Sequence, residues 1–145
     1  MRKKLVIVIS FLFLFLYSCS SIFWGDKNLG KGYFLWRDGR YKAIVYNPNS
    51  NTPDGGNPIT IDNVVSLNYN KNYIIFKTNK FIKPSTEIKE YWIIDKSIQI
   101  TINDYNDQNI TDSLLKVNLL GPLDSTRFYK LIKERNIGLE LKEVK

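Results

Sequence analysis

The sequence predicts an α+β fold that is mainly β: an antiparallel sheet of about five to seven strands in hairpins, with one C-terminal helix packed on it. Two observations lead to this prediction. Short runs rich in β-branched and aromatic residues are separated by Gly, Pro, Asn and Asp, which is typical of strands joined by turns. Towards the C-terminus the spacing of apolar residues changes from two to three or four, which is the period of a helix.

Three hairpins account for most of the predicted strands. The paired runs are Tyr33 to Trp36 with Arg40 to Tyr46, Val64 to Tyr69 with Tyr73 to Lys77, and Glu90 to Asp95 with Ile98 to Ile102. The first pair meets at Asp38-Gly39, a dipeptide that favours a two-residue turn in which both residues have positive φ. Residues 47–58 are predicted to form an exposed loop, and residues 78–88 a polar connection.

The C-terminal third predicts helix. The run ITDSLLK predicts one helical turn capped by Thr111. A longer helix follows, with Asp124 as its N-cap and with Leu123 packed against Phe128 as a hydrophobic staple. Gly138 is expected to end this helix. The last run, LELKEV, is expected to close the fold as a short edge strand.

Residues 1–18 have the organisation of a signal peptide. Three basic residues, Arg2, Lys3 and Lys4, precede a run from Leu5 to Tyr17 that is apolar apart from one serine. Crossing the hydrocarbon core of a bilayer needs about 20 apolar residues, so this run is too short to span and suits the apolar region of a signal peptide. A buried core helix is the alternative, but such a helix would show polar residues at helical spacing.

The end of the apolar run resembles the lipobox of bacterial lipoproteins. Leu16, Ser18 and Cys19 match its pattern, and Tyr17 is bulkier than the usual occupant of its position. The resemblance implies that the Cys19 thiol takes a diacylglyceryl group, that the chain is cut before Cys19, and that the new amine is acylated. An ordinary signal peptide with a chance cysteine is the alternative. Because Cys19 is the only cysteine, no disulfide framework is predicted.

The lipobox predicts a division of the chain into three parts and a cellular location. Residues 1–18 are a lipoprotein signal peptide, residues 19–32 a tether, and residues 33–145 a single globular domain. The expected location is the bacterial cell envelope, or its outer membrane in a Gram-negative cell, with the acyl chains on Cys19 as the membrane contact. Within the tether, Ile22, Phe23 and Trp24 contact either the membrane interface, where Trp is favoured, or the domain itself.

Composition argues against most catalytic chemistry. The chain has no histidine, which removes the usual general base, the Ser-His-Asp and Cys-His arrangements and the commonest zinc ligand. The densest carboxylates are Asp104, Asp107 and Asp112, but a calcium loop starting at Asp104 would lack its glycine and its final glutamate. The run NLGKG lacks the Gly-Lys-Ser/Thr ending and the helix of a phosphate loop. No catalytic residue, metal or cofactor is therefore predicted.

The charge of the processed chain is modest. Removing Arg2, Lys3 and Lys4 from the 21 basic residues leaves 18 against 14 acidic ones, a net charge of about +4. The basic residues are spread along the sequence between acidic ones, whereas a nucleic-acid binder concentrates them on one face. The sequence therefore predicts a solvated surface beside an anionic membrane, and no nucleic-acid partner.

Aromatic residues are frequent on the predicted strands. They are Tyr33, Trp36, Tyr41, Tyr46, Tyr69, Tyr73, Tyr91 and Trp92. Exposed rings would suit stacking on sugars or bases. Half-buried cross-strand pairs are the commoner use of such residues, and we favour that interpretation.

The layout from Tyr33 onwards resembles a family of small uncharacterised bacterial lipoproteins, domain of unknown function 3997. The resemblance is carried by the runs GYFLW, VVSLNYNKNYIIFKT, EYWIIDKS and LLGPLDSTRFYKLIKERNI. The family has no established activity, so the resemblance implies a fold and a location in the cell envelope, and it implies no catalytic residues.

Three hypotheses for function follow. The first is a non-enzymatic binding or accessory module that contacts an envelope protein and is anchored by lipid. The second is an envelope inhibitor or immunity protein, which an exposed apolar loop tip would favour. The third is a carboxylate-dependent hydrolase, which two carboxylates converging in a cleft would favour.

Overall fold

A computed structural model of the chain describes residues 25–60, 62–83, 86–100, 103 and 107–144. The signal peptide, the lipobox residues Leu16, Ser18 and Cys19, and the tether residues Ile22, Phe23 and Trp24 lie outside the described residues. The predicted fold class is confirmed, because the chain is mostly antiparallel β with a smaller helical part. The strands form two sheets, however, where the sequence predicted one.

The first sheet contains four strands in the order of the sequence. They are β1 (Lys27–Gly30), β2 (Tyr33–Asp38), β3 (Tyr41–Tyr46) and β4 (Asn57–Pro58). The predicted hairpin between β2 and β3 is confirmed, but Asp38 pairs with Tyr41, so the two turn residues are Gly39 and Arg40. Of these two only Gly39 has a positive φ, 57°, which is the pattern of a type II′ turn.

Two segments of the first sheet lie where no strand was predicted. Strand β1 falls within the predicted tether and pairs with β2, so the folded part begins before residue 33. The loop of residues 47–58 ends in β4, which pairs with β3. Asn47 is buried under this loop, and its side-chain amide donates to the carbonyl oxygens of Thr52 and Asp54. The loop is therefore closed on itself by a side chain rather than being wholly exposed.

The second sheet contains five strands. They are β5 (Asn63–Tyr69), β6 (Tyr73–Lys83), β7 (Thr86–Asp95), β8 (Leu119–Leu123) and β9 (Lys142–Glu143), in the order β8-β7-β6-β5-β9. The hairpin of β5 and β6 and the short C-terminal edge strand are both confirmed. The prediction of a polar connection over residues 78–88 is wrong, because β6 and β7 continue to pair through it. This part of the hairpin is largely exposed, so polar side chains are compatible with strand there.

The third predicted hairpin is wrong. Residues 98–100 form no strand, Ile102 lies outside the described residues, and β7 pairs instead with β8. Leu119 and Leu120 of β8 lie opposite Ile94 and Ile93. Such apolar cross-strand pairs stabilise a sheet, so the pairing with β8 is favoured although it is more distant in sequence.

The first helix is longer than predicted. Helix α1 (Gln108–Asn118) has Asp107 as its N-cap, whose side chain accepts hydrogen bonds from the backbone N–H groups of Asn109 and Ile110. Thr111 lies inside the helix and is fully buried, so the prediction that it caps the helix is wrong. Asp107 is the better cap because its carboxylate accepts two of the N–H groups that have no partner within the helix.

The second helix begins as predicted and ends differently. Helix α2 (Ser125–Glu134) is capped by Asp124, which accepts a hydrogen bond from the Arg127 N–H at 2.8 Å. At its C-terminus Asn136 has a φ of 52°, its N–H donates to Lys133, and the Ile137 N–H donates to Ile132. These bonds form a Schellman motif with asparagine in place of the predicted Gly138. Within the described residues no helix is long and apolar enough to span a bilayer.

The second sheet lies between the first sheet and α2. Side chains alternate along a strand, so neighbouring residues of β6 face opposite layers. Ile74 and Phe76 pack in the cluster that includes the first sheet, and Leu115 of α1 joins this cluster. Ile75 packs with Phe128 of α2 in a second, separate cluster. The predicted helical cover is thus confirmed for one face, and the first sheet covers the other.

Phe128 is the centre of the second cluster, fully buried and 5.0 Å from the Tyr91 ring centroid. We expect Phe128→Ala to lower the free energy of unfolding by about 3–5 kcal/mol, since truncation leaves a cavity under α2. Tyr129→Ala is the matched control, because Tyr129 is the next residue and is 57% exposed. Urea unfolding measures both, and equal midpoints for the two variants would contradict the packing of α2.

Gly39 tests the turn of the first hairpin. A Cβ at this position would meet no atom within 4 Å, so a substitution is penalised by backbone conformation alone. We expect Gly39→Val to cost about 1–3 kcal/mol, because a β-branched residue disfavours positive φ. Gly39→Asn is the control, since asparagine tolerates this region. A melting temperature that falls equally in both variants would contradict the assigned turn.

Candidate functional site

Three segments that are distant in sequence meet at one end of the fold. The turn after β7 contacts the β5–β6 loop, because the Lys96 N–H donates to the Asn72 carbonyl oxygen at 2.7 Å. The same turn contacts the β1–β2 turn, because the Lys31 ammonium donates to the Lys96 carbonyl oxygen at 2.7 Å. Each segment carries a lysine, so the contacts bring positive charges together.

Lys96 is a buried cation. Its residue is only 1% exposed, and its ammonium donates to the carbonyl oxygen of Leu29 at 2.7 Å. The ion pairs of the described residues are Lys130–Glu134 and Arg135–Asp95, and neither includes Lys96. Burial, and secondarily the charge of Lys31, lowers the pKa of Lys96 from 10.5 to about 8. Lysine is almost never fully buried unless it is paired, so this residue requires an explanation.

The ring of Tyr69 lies between two ammonium groups. Lys27 is 5.0 Å and Lys96 is 5.7 Å from its centroid, both within the range of a cation–π interaction. Tyr69 is half-buried at the end of β5. The ring therefore offsets part of the positive charge around it without supplying an anion.

Two open cavities adjoin Tyr69, one of about 610 Å³ and one of about 390 Å³. We call their combined lining the basic cleft. Its cationic residues are Lys31, Lys71 and Lys96 in the larger cavity, and Lys27, Arg37 and Lys142 in the smaller. Among the described residues of the lining, the one carboxylate is that of Glu143. The Arg37 Nε atom is a buried donor without a hydrogen-bond partner among the described residues.

Tyr33 is the other described group with a shifted pKa. Burial raises the pKa of its hydroxyl, Asp95 adds to the effect, and the neighbouring Asn118 side chain opposes it. The Tyr33 ring packs on Tyr46 in the core between the sheets, with centroids 4.8 Å apart. The shift is thus a consequence of core packing, and Tyr33 does not line the basic cleft.

The three carboxylates that lie densest in the sequence do not form a site within the described residues. Asp107 caps α1, Asp112 is exposed on that helix, and Asp104 lies outside the described residues. The residues that the structure describes contain no group of three or more side chains arranged to hold a metal ion. No described residue in this region contradicts the sequence argument against a calcium loop.

The NLGKG run is a turn between two strands, which agrees with the argument that no helix follows it. Gly30, Lys31 and Gly32 all have positive φ, from 55° to 85°. At Gly30 a Cβ would lie 3.5 Å from the Lys96 ammonium, and at Gly32 it would lie 2.9 Å from the Pro48 backbone. Glycine therefore suits the positive φ at both positions, and at Gly32 it also allows the close approach of the Pro48 backbone.

The aromatic residues are mainly structural, as predicted. All eight lie on strands, and all except Tyr41 are buried or half-buried. Phe76 and Trp92 stack across β6 and β7 with ring centroids 6.0 Å apart. Tyr69 also lies in the wall of both cavities of the basic cleft.

Sequence reasoning missed the basic cleft. The third predicted hairpin puts Lys96 in the turn between its two strands, and the basic residues are expected to be spread over the surface. No signal in the sequence distinguishes the lysines of the basic cleft from others, because their proximity depends on which strands pair. The weak signal was NLGKG, whose two glycines around a lysine indicate an unusual backbone.

The chain matches no protein-family model, no curated protein and no solved structure. The resemblance to the lipoprotein family and to the lipobox therefore stays a prediction.

The lowered pKa of Lys96 predicts a pH dependence of stability. Below about pH 8 both the folded and the unfolded chain carry the Lys96 proton, and the cost of burying the charge is complete. Between about pH 8 and 10.5 only the unfolded chain carries it, so the free energy of unfolding should rise with pH. One proton corresponds to a limiting slope of about 1.4 kcal/mol per pH unit.

Urea unfolding between pH 7 and pH 10, in buffers with chloride as the anion, measures this slope. Subtracting the profile of Lys96→Met from that of the parent removes the contributions of other groups. Lys80→Met, a change at an exposed residue of β6, should keep the rise. A Lys96→Met profile parallel to that of the parent would contradict the burial of a titrating amine.

Proposed function

We propose that the chain is a protein of the bacterial cell envelope anchored by lipid on Cys19, and that its folded part is a non-enzymatic module that binds an anionic envelope component through the basic cleft. The anchor is supported by the basic start, the apolar run of signal-peptide length, and the match of Leu16, Ser18 and Cys19 to the lipobox. The binding role is supported by the basic cleft.

The composition of the basic cleft is the observation that carries the binding role. Of the residues that the structure describes, six cations and one carboxylate line the two cavities, although the processed chain as a whole has only a small excess of basic residues. A cleft lined by charges of one sign raises the local concentration of ions of the opposite sign. The buried cation Lys96 strengthens this argument, because a bound anion would supply the missing counter-charge.

The position of the first strand supports a membrane-proximal role. Strand β1 begins at Lys27, eight residues after Cys19. Eight residues span at most about 29 Å when fully extended. With lipid on Cys19, Lys27 and the rest of the basic cleft are held close to the membrane surface. Residues 22–24 then lie between anchor and fold, in contact with either the membrane interface or the domain.

The other two hypotheses gain no specific support. The exposed residues of the loop formed by residues 47–58 include Asn51, Thr52 and Asp54, so the tip is polar rather than apolar. Asp107 has a structural use as a helix cap. A carboxylate-dependent hydrolase would need two carboxylates converging in a cleft, and the described lining of the basic cleft holds one, Glu143. We therefore retain the binding module as the single proposal.

Labelling with a radioactive fatty acid such as palmitate tests the anchor. We expect the parent to incorporate the label and to sediment with membranes. Cys19→Ser should lose the label and leave the membrane fraction, while its folded part stays intact by circular dichroism. Ser20→Ala is the matched control, because it changes the next residue and keeps the thiol. Equal labelling of Cys19→Ser and parent would exclude lipidation at Cys19.

A further inference from the structure

The larger cavity of the basic cleft has the charge of an anion site. Lys31 and Lys71 are exposed at its rim and Lys96 lies buried at its floor. Its described lining contains no carboxylate. Its volume of about 610 Å³ falls within the usual range of small-molecule sites, so it has room for an anionic group and part of the molecule that carries it.

The neutral polar groups of this cavity are also biased towards donation. The Asn28 side-chain oxygen already accepts the Gly30 N–H at 2.8 Å. The Asn70 side-chain oxygen accepts the N–H groups of Asn72 and Tyr73, both at 2.9 Å. Each asparagine is thus left with its NH₂ group for a ligand. Ammonium and amide N–H groups together suit an acceptor with several oxygens.

A purely structural role for Lys96 leaves part of the arrangement unexplained. Its bond to the Leu29 carbonyl oxygen fixes β1, and a neutral donor would satisfy that oxygen equally well. The approach of Lys31, whose charge disfavours a second cation beside it, makes the burial of Lys96 more costly. A bound anion between Lys31, Lys71 and Lys96 reverses the sign of this interaction.

We propose that this cavity binds a phosphate group, with Lys31 and Lys71 contacting its oxygens from the rim and Lys96 stabilising its charge from the floor. Phosphate fits better than carboxylate because it offers more acceptor oxygens to several donors, and lysine ammonium groups are common phosphate partners as point charges. The phosphate belongs either to a lipid headgroup or to a water-soluble phosphate ester. This inference deepens the proposed function and rests on its assignment of the basic cleft as the binding surface.

Calorimetry on the full-length protein in a non-ionic detergent tests the proposal. Inorganic phosphate and glycerol phosphate are titrated at constant ionic strength with chloride as the balancing anion. We expect saturable binding by the parent, and a Kd at least tenfold higher for Lys71→Gln and for Lys96→Met. Lys80→Gln is the matched control, because Lys80 lies on β6 about 24 Å along the strand from Tyr73 and should bind as the parent does.

Lys71→Gln keeps the test decisive if Lys96→Met fails to fold. Lys71 makes no hydrogen bond or ion pair with the rest of the described chain, so its loss removes charge without removing a structural contact. Absence of saturable binding by the parent, or equal Kd values for parent and Lys71→Gln, would overturn the proposal. Labelling of Cys19 is independent of this result, so the proposed lipid anchor can be supported even if the proposed phosphate site is contradicted.

Mixed micelles distinguish the two sources of phosphate. Phosphatidylglycerol micelles that compete with glycerol phosphate, while micelles with the same amount of diacylglycerol, which has no phosphate, do not, would assign the site to a phospholipid headgroup. Binding of glycerol phosphate that neither micelle displaces would assign it to a soluble ester. Both results support a phosphate site. Equal displacement of glycerol phosphate by the two kinds of micelle would contradict it, because the effect would then come from the micelles themselves.

Discussion

The fold depends on burying both faces of the second sheet. Ile74 and Ile75 are adjacent in β6, each almost inaccessible to solvent, and they pack in different clusters. Such alternation means that a shift of one residue in register would exchange the two faces completely. Each face also needs its own cover, because one cover alone would leave the other face exposed to water. The first sheet and α2 are therefore both required to cover the second sheet, and the strands and helices along the chain provide these two covers.

The position of the basic cleft is a consequence of this packing. Leu29 of β1 is fully buried in the cluster between the sheets, which fixes the strand that carries Lys27 and the turn that carries Lys31. The same packing places the turn after β7 beneath β1, where the Leu29 carbonyl oxygen accepts the bond from Lys96. The buried charge opposes folding, since its desolvation is only partly offset by a carbonyl oxygen and a tyrosine ring. Groups kept at such a cost are candidates for function, because strain and unfavourable charge concentrate at binding sites.

Some local signals were readable in the sequence, although those at Thr111 and Gly138 misplaced two helix ends, and non-local pairing was not readable. Gly39 and Asp124 act through residues within three positions of themselves, so turn and cap signals located them. The partner of β7 was misassigned because Ile98 and Ile100 alternate as strand residues do, while the competing β8 lies more than twenty residues further on. The extended part of the β6–β7 hairpin was missed because its exposed faces are polar. Lys96 could not be recognised because its burial depends on three segments whose contact only the completed topology defines. The fold class was thus within reach of the sequence, and the candidate site was not.

A lipid anchor and a phosphate site would reinforce one another physically. With lipid on Cys19, the eight residues from Cys19 to Lys27 would hold Lys27 within about 29 Å of the bilayer surface, which would set a high effective concentration of headgroup phosphates around it. Basic segments near an anionic leaflet gain about 1 kcal/mol for each lysine or arginine close to the surface, within a Debye length of about 8–10 Å. Such a site needs little intrinsic affinity for a single phosphate. Weak binding at several cations would then be enough to orient the domain on its anchor. In that orientation β1 and the basic cleft would face the membrane, and α2 would lie on the other side of the second sheet.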